Sequence, residues 1–176
     1  MFSDPENNIK QFALAPGMQV ADFGSGSGFY SMSAARAVAP NGKVFAVDIQ
    51  KDLLEKLKNS AKQSGVSNID IIWGDLEHLG GTKLREGSLD AVIVANLFFQ
   101  IKNKDGLCLE IKRVLKNNSR VLVVDWDGSF AGIGPVETDV ISKIKMTALF
   151  QDHGFKLDRE ISAGAHHYGL VFRKLI

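Results

Sequence analysis

Apolar and polar positions in this 176-residue chain fall into two alternating textures. The runs Val44-Phe45-Ala46-Val47, Ala91-Val92-Ile93-Val94 and Val121-Leu122-Val123-Val124 are unbroken, as expected of strands covered on both faces. Between such runs, apolar residues recur at helical spacing, as with Leu53, Leu54, Leu57 and Ala61 at i, i+1, i+4 and i+8. Pro16-Gly17, Pro40-Asn41-Gly42, Gly65 and Gly154 punctuate the chain as breakers. The pattern predicts helices over 4–15, 29–39, 51–64, 104–115 and 136–153, and strands over 19–23, 44–48, 69–73, 89–95 and 120–125. Two last β segments, 156–162 and 167–173, are close enough in sequence to form a hairpin. Alternating strands and helices with a terminal hairpin imply an α/β, doubly wound sheet of seven strands, mostly parallel with a C-terminal antiparallel strand, with helices on both faces. The sixth strand is expected to run parallel to the first five and the seventh antiparallel.

Composition narrows the picture. The length and a 45% hydrophobic content suit one domain spanning 1–176. A net charge of +1 gives no electrostatic case for nonspecific nucleic-acid binding. The lysines between 102 and 116 are mixed with Asp105 and Glu110 and read as a solvated helix face. The single Cys108 excludes an internal disulfide framework and a multi-cysteine metal site, and reads as a small buried apolar residue. No metal is expected. The N-terminus lacks the basic and apolar regions of a signal peptide. The longest apolar stretch, 91–101, is broken by Asn96 and Gln100 and is too short to span a membrane. A cytoplasmic protein with no membrane partner is expected.

The chemistry concentrates where the first predicted strand breaks into Asp22-Phe23-Gly24-Ser25-Gly26-Ser27-Gly28. A glycine turn between strand and helix lets a ligand approach the backbone, because no Cβ stands in the way. Asp48 ends the next strand, about 20 positions on, where a carboxylate suits a ribose with both hydroxyls free. This is a nucleoside-binding βαβ unit. A dinucleotide fingerprint requires glycine where this chain has Phe29 or Ser31, which disfavours a nicotinamide dehydrogenase.

The acidic-first glycine pattern resembles motif I of the class I S-adenosylmethionine-dependent methyltransferases. Later segments are similar to that family too. Trp73-Gly74-Asp75-Leu76 resembles the segment after its third strand, and Asp90 to Asn96 its fourth-strand motif. Residues 114–121 resemble its helix-to-fifth-strand turn, with Asn117-Asn118-Ser119 in place of Pro-Gly-Gly; asparagine tolerates the left-handed conformation well. Phe150 to Phe155 resembles the helix end before the sixth strand. Within the family the chain looks most like small members related to the quinone-biosynthesis type. The resemblance implies a Rossmann-like fold, S-adenosylmethionine as cofactor and S-adenosylhomocysteine as product.

It also implies a cofactor site made of Asp22, Gly24, Ser25, Gly26, Gly28, Asp48, Ile49, Asp75, Leu76 and Asn96. The glycines would pass under the amino-acid end of the cofactor, Asp48 would hold the ribose diol and Asp75 the adenine amino group. Asp22 either orders the glycine loop or touches ligand, and Asn96 either lines the sulfonium region or simply ends its strand. Catalytic candidates are Asn96, Asp125, His166 and His167, with a general base needed only if the acceptor must lose a proton early. His166 and His167, as neighbours in a strand, would face opposite sides, so one at most enters the pocket. The acceptor pocket is expected to be walled by Asn96, Phe99, Gln100, Asp125, Trp126 and one of these histidines. The competing reading makes the aromatics core and the histidines a solvated hairpin tip. The glycine-rich loop 126–135, the 98–100 segment and the last hairpin turn would set specificity, since the chain shows no room for a substrate cap. The expected function is methyl transfer to a small acceptor by in-line displacement. Arsenite is a disfavoured acceptor for want of cysteines. A noncatalytic cofactor-binding subunit that activates a partner stays open, as does a homo-oligomer or protein partner completing the substrate site.

Overall fold

The computed structural model describes residues 3–130 and 132–176; Met1 and Phe2, on which the signal-peptide reading falls in part, and Ala131 of the 126–135 loop lie outside them. The elements run α1 (Pro5–Phe12), β1 (Gln19–Phe23), α2 (Phe29–Val38), β2 (Lys43–Asp48), α3 (Lys51–Gln63), β3 (Ile69–Trp73), β4 (Leu89–Ala95), α4 (Lys104–Val114), β5 (Leu115–Trp126), α5 (Lys143–Asp152), β6 (Phe155–Ile161) and β7 (His167–Lys174). All seven strands form one sheet in the order β3-β2-β1-β4-β5-β7-β6. The first five are parallel, and β7 pairs antiparallel with both β5 and β6. The expected fold class holds, and β6 runs in the common direction.

The unbroken apolar runs are explained by the two cores. Along β4, Val92 and Val94 enter one core while Ala91 and Ile93 enter the other; along β5, Val121 and Val123 part from Leu122 and Val124 in the same way. Successive residues of a strand face opposite sides, so a sheet covered on both faces needs apolar residues at consecutive positions. The first core also takes Leu107 and Ile111 of α4 and Phe150 of α5; the second takes Ile9 and Phe12 of α1 and Ala34 and Val38 of α2.

Three expectations are corrected. The helix predicted over 136–153 starts only at Lys143, because Ser142 caps it by accepting from the Lys145 N–H, and a 3₁₀ turn at Glu137–Asp139 precedes it. The Asn117-Asn118-Ser119 turn lies within β5, where the pairing to β4 jumps from Leu89↔Leu115 to Ala91↔Arg120 and Asn118 adopts φ 62. Glu110 is no part of a solvated face: it is fully buried, and accepts from Arg113, from Thr82 and from the Gly80 N–H.

α1 is also more than an extension. It ends at Ala13, in the left-handed region at φ 58. The Gln11 amide pairs with both the carbonyl and the N–H of Ser162, and Arg159 donates to the carbonyls of Gln11 and Phe12. The helix is thereby clamped to the end of β6.

Candidate functional site

At the end of β1 the chain turns sharply, with Gly24 and Ser25 both donating to the Val47 carbonyl of β2. Gly24, Gly26 and Gly28 all lie at positive φ (72°, 52° and 91°), where a Cβ is strained. Their surroundings differ. A Cβ on Gly24 would come within 2.7 Å of Leu97, and one on Gly28 would overlap Leu57, whereas one on Gly26 would meet nothing within 4 Å. Packing thus requires two of the glycines, and the third opens on empty space.

Asp48 binds this turn to the head of α3. Its Oδ2 accepts from the Gly26 N–H and its Oδ1 from the Gln50 N–H, each at 2.8 Å. Each oxygen keeps a further lone pair. Asp22, at 2% exposure, accepts from the Ser31 hydroxyl at 2.6 Å and so ties β1 to the first turn of α2. Burial pushes its carboxyl up to about 7; the Ser31 hydrogen bonds oppose that shift and the charge of Asp48 adds to it.

The neighbouring strand ends complete the rim. Asp75 caps its own loop, accepting from the Glu77 N–H at 2.9 Å and pairing with His78. Leu76 is buried beside it. Ile49 is 59% exposed, and its carbonyl accepts from the Trp73 indole N–H. Asn96 sits at φ 54 just beyond β4, donating from its N–H to Val124, while its Oδ1 is buried with no hydrogen-bond partner. The Ser25 hydroxyl oxygen is likewise buried and unpartnered.

These residues share a cavity of about 700 Å³, which takes in Asp22, the 24–27 turn, Asp48, Ile49, Asp75, Leu76, Asn96 and Gln100. Of the expected cofactor residues only Gly28 is outside the lining, packed against Leu57. Among the lining residues that sequence reasoning missed are Ser3, Pro5, Tyr30, Leu97 and Ile101. Tyr30 was traceable in principle, since it stands in the first turn of α2, directly after the glycine turn, and helix side chains lean toward the N-terminus. Ser3 and Pro5 carried no such signal.

Asp125, Phe99, Trp126, His166 and His167 are not in the lining. Asp125 points inward, accepting from the Phe98 N–H at 3.0 Å and from the Trp126 N–H at 2.8 Å. Burial raises its carboxyl to about 6. The ring of His167 lies 4.3 Å from that of Trp126, and the ring of His166 3.9 Å from that of Phe130. The His167 Nδ1 meets the Ala165 carbonyl at 2.9 Å. Asp125, Trp126, His166 and His167 therefore belong to the β5 and β7 ends and Phe99 to the 3₁₀ turn after β4, while the cavity lies over the ends of β1, β2, β3 and β4.

A family model described as a methyltransferase domain matches residues 14–165. An arsenite methyltransferase of Halobacterium salinarum is 31% identical over 119 residues, covering 67% of this chain and 30% of that protein. A ubiquinone/menaquinone biosynthesis C-methyltransferase of Haemophilus ducreyi is 29% identical over 111 residues, covering 62% of this chain and 42% of that protein. The chain thus spans less than half the length of these two relatives. A solved structure of a SAM-dependent methyltransferase from Aquifex aeolicus superposes with a TM-score of 0.89 at 25% identity, covering 99% of this chain and 91% of that one. No helix among the described residues is long and apolar enough to cross a membrane. A match over most of the sequence, on a sheet of this topology, shows the family: the chain belongs to the class I S-adenosylmethionine-dependent methyltransferases.

Proposed function

We propose that residues 1–176 act as one methyltransferase domain that moves a methyl group from S-adenosylmethionine to a small, partly apolar acceptor. The observation that carries this reading is the joining of the glycine turn, Asp48 and Asn96 in one cavity large enough for a cofactor and a small second molecule. A flat or plugged rim would have favoured a noncatalytic subunit that activates a partner.

The residues present fit the cofactor. Gly26 leaves open the space that a side chain would fill, and the orphaned oxygens of Ser25 and Asn96 are acceptors awaiting a donor. Asp48 would hold the ribose hydroxyls through its spare lone pairs, Asp75 the exocyclic amine of the base, and Ile49 and Leu76 its faces. Bound there, S-adenosylmethionine supplies an electrophilic methyl group on a sulfonium. The protein's part is to align the acceptor for in-line attack and to exclude water, effects that supply much of the rate in such displacements. Among the four catalytic candidates, Asn96 is the one that reaches the cavity. Asp125 acts as a positioning residue, holding the Phe98 N–H and with it the 96–100 turn. His166 and His167 pack in the hairpin cluster and are assigned no proton transfer.

The two relatives are named for different chemistry, one for arsenite and one for C-methylation in ubiquinone/menaquinone biosynthesis. Arsenite fits poorly here. The single thiol, Cys108, is buried, and burial pushes it up to about 12, far from the thiolate that binds a soft metalloid.

Calorimetric titration with S-adenosylhomocysteine and NAD tests the cofactor, and methylation of a metabolite pool with labelled S-adenosylmethionine tests the transfer. Binding of S-adenosylhomocysteine and label on a small molecule are expected. NAD binding without response to S-adenosylhomocysteine would overturn the assignment, and cofactor binding without label on any fraction would favour the activating subunit.

A further inference from the structure

We infer that the acceptor carries no negative charge and is anchored through an oxygen or nitrogen lone pair by the Ser3–Tyr30 hydroxyl pair beneath α1. The inference rests on the methyltransferase reading above and names the substrate class of the same cavity. Its first ground is the charge of the walls. Among the described lining residues there is no lysine, arginine or histidine, while the charges of Asp22 and Asp4 act on Tyr30 itself; Asp48 and Asp75, given above to the cofactor, are not counted. The adjacent cations are turned to other partners: Lys83 donates to the Trp73 carbonyl and Lys104 to the Ile101 carbonyl. An anionic acceptor would give up its water next to carboxylates, with no cation to replace that hydration. The same walls favour a sulfonium cation.

The second ground is the hydrogen-bond arithmetic of the Ser3–Tyr30 pair itself. Tyr30 and Ser3 both line the cavity, and their hydroxyl oxygens lie 2.8 Å apart. The fully buried Asn8 donates to the Tyr30 oxygen at 2.8 Å and to the Ser3 oxygen at 3.3 Å. Whichever hydroxyl donates to the other, one O–H of the pair stays unspent. A donor held in place by a buried amide, with Pro5 as apolar wall, suits an uncharged hydroxyl, carbonyl or amine. The N-terminal helix, clamped to Ser162 by Gln11, then supplies the acceptor's binding surface.

The test uses protein saturated with S-adenosylhomocysteine and two probes of matched ring, phenol and benzoate, followed by ligand-observed NMR titration. Phenol is expected to bind, with benzoate weaker by about tenfold or more. Tyr30→Phe and Ser3→Ala are each expected to weaken phenol by about three- to tenfold, with S-adenosylhomocysteine affinity within about twofold of the parent's. Ser3→Ala removes no core packing, so it serves if Tyr30→Phe folds poorly. Benzoate binding as well as phenol, phenol binding indifferent to both substitutions, or no binding of either probe would each overturn the inference. Failure of S-adenosylhomocysteine itself to bind would overturn the cofactor reading instead.

Discussion

At the scale of single residues, Asp48 and the glycines separate binding from folding. Both carboxylate oxygens of Asp48 already hold backbone N–H groups, so its charge pre-shapes the turn before any ribose arrives. Asp48→Asn keeps an acceptor for one of those groups and loses the charge. Cofactor affinity is expected to fall by about 1.5–3 kcal/mol in calorimetry, and unchanged affinity in a folded variant would give the ribose to another residue. Gly26→Val and Gly28→Val form a matched pair. The first fills open space and is expected to abolish cofactor binding with only the modest stability loss of a non-glycine residue at positive φ, about 1–2 kcal/mol. The second collides with Leu57 and is expected to lower the melting temperature far more. Thermal unfolding beside titration distinguishes the two; equal melting temperatures would refute the contrast. The glycine spacing and Asp48 were legible because they are local features. The need for glycine at 28 was not, because Leu57 reaches it only once α3 has packed.

Among the elements, the loop after β3 depends on α4. Glu110 of that helix accepts from the Gly80 and Thr82 N–H groups, from the Thr82 hydroxyl and from Arg113, and so holds the loop that carries Asp75 and Leu76. Burial alone would raise the Glu110 carboxyl; the hydrogen bonds from Arg113, Thr82 and Gly80 outweigh it and hold the group below the usual range. Its stabilisation is therefore present above the ordinary glutamate range and lost as pH falls through the depressed folded value. Glu110→Ala leaves a half-buried Arg113 and three loop donors without their acceptor. A loss of about 3–5 kcal/mol in urea unfolding at neutral pH is expected, with weaker cofactor binding alongside. A loss below 1 kcal/mol would mean that the loop holds itself. The mixture of charges around Glu110 reads as a solvated face because a lone sequence does not show that Thr82 and Gly80 return to cover it.

For the whole molecule, two other buried carboxyls, Asp22 and Asp125, have the opposite sign. Asp22 rises to about 7 and Asp125 to about 6, both chiefly by burial. Between the unfolded carboxylate range near 4 and these folded values, the native state holds more protons than the unfolded one. Stability is thus greatest below that window and is lost as pH rises through it. The ligand-free protein is expected to melt higher at pH 5.5 than at pH 8, and Asp22→Asn, which keeps an acceptor for Ser31, should flatten that slope. Because Asp22 lines the cavity, bound sulfonium should favour its ionised form, so the affinity for S-adenosylmethionine should rise from pH 6 to pH 8. A melting temperature that climbs steadily from pH 5.5 to pH 8 would contradict this assignment.

The sequence by itself determined the alternation of strands and helices, the two-sided burial of the central strands, the glycine turn and the acid at the end of β2. Each is written in adjacent residues or in a fixed period, and burial on one or both faces shows directly in that period. Only the tertiary structure decided which elements became neighbours. The hydrophobic pattern of β7 is satisfied by any two flanking strands; its insertion between β5 and β6 puts His166 and His167 beside Trp126 and Phe130, away from the cavity. Asp125 stands at a strand end where ligands commonly sit, yet it turns to the Phe98 N–H, because a buried N–H needs an acceptor wherever the fold leaves it. The N-terminal helix gained a wall of the cavity in the same way: Ile9 and Phe12 had to be buried, and docking them beside α2 carried Ser3 and Pro5 into the cavity lining.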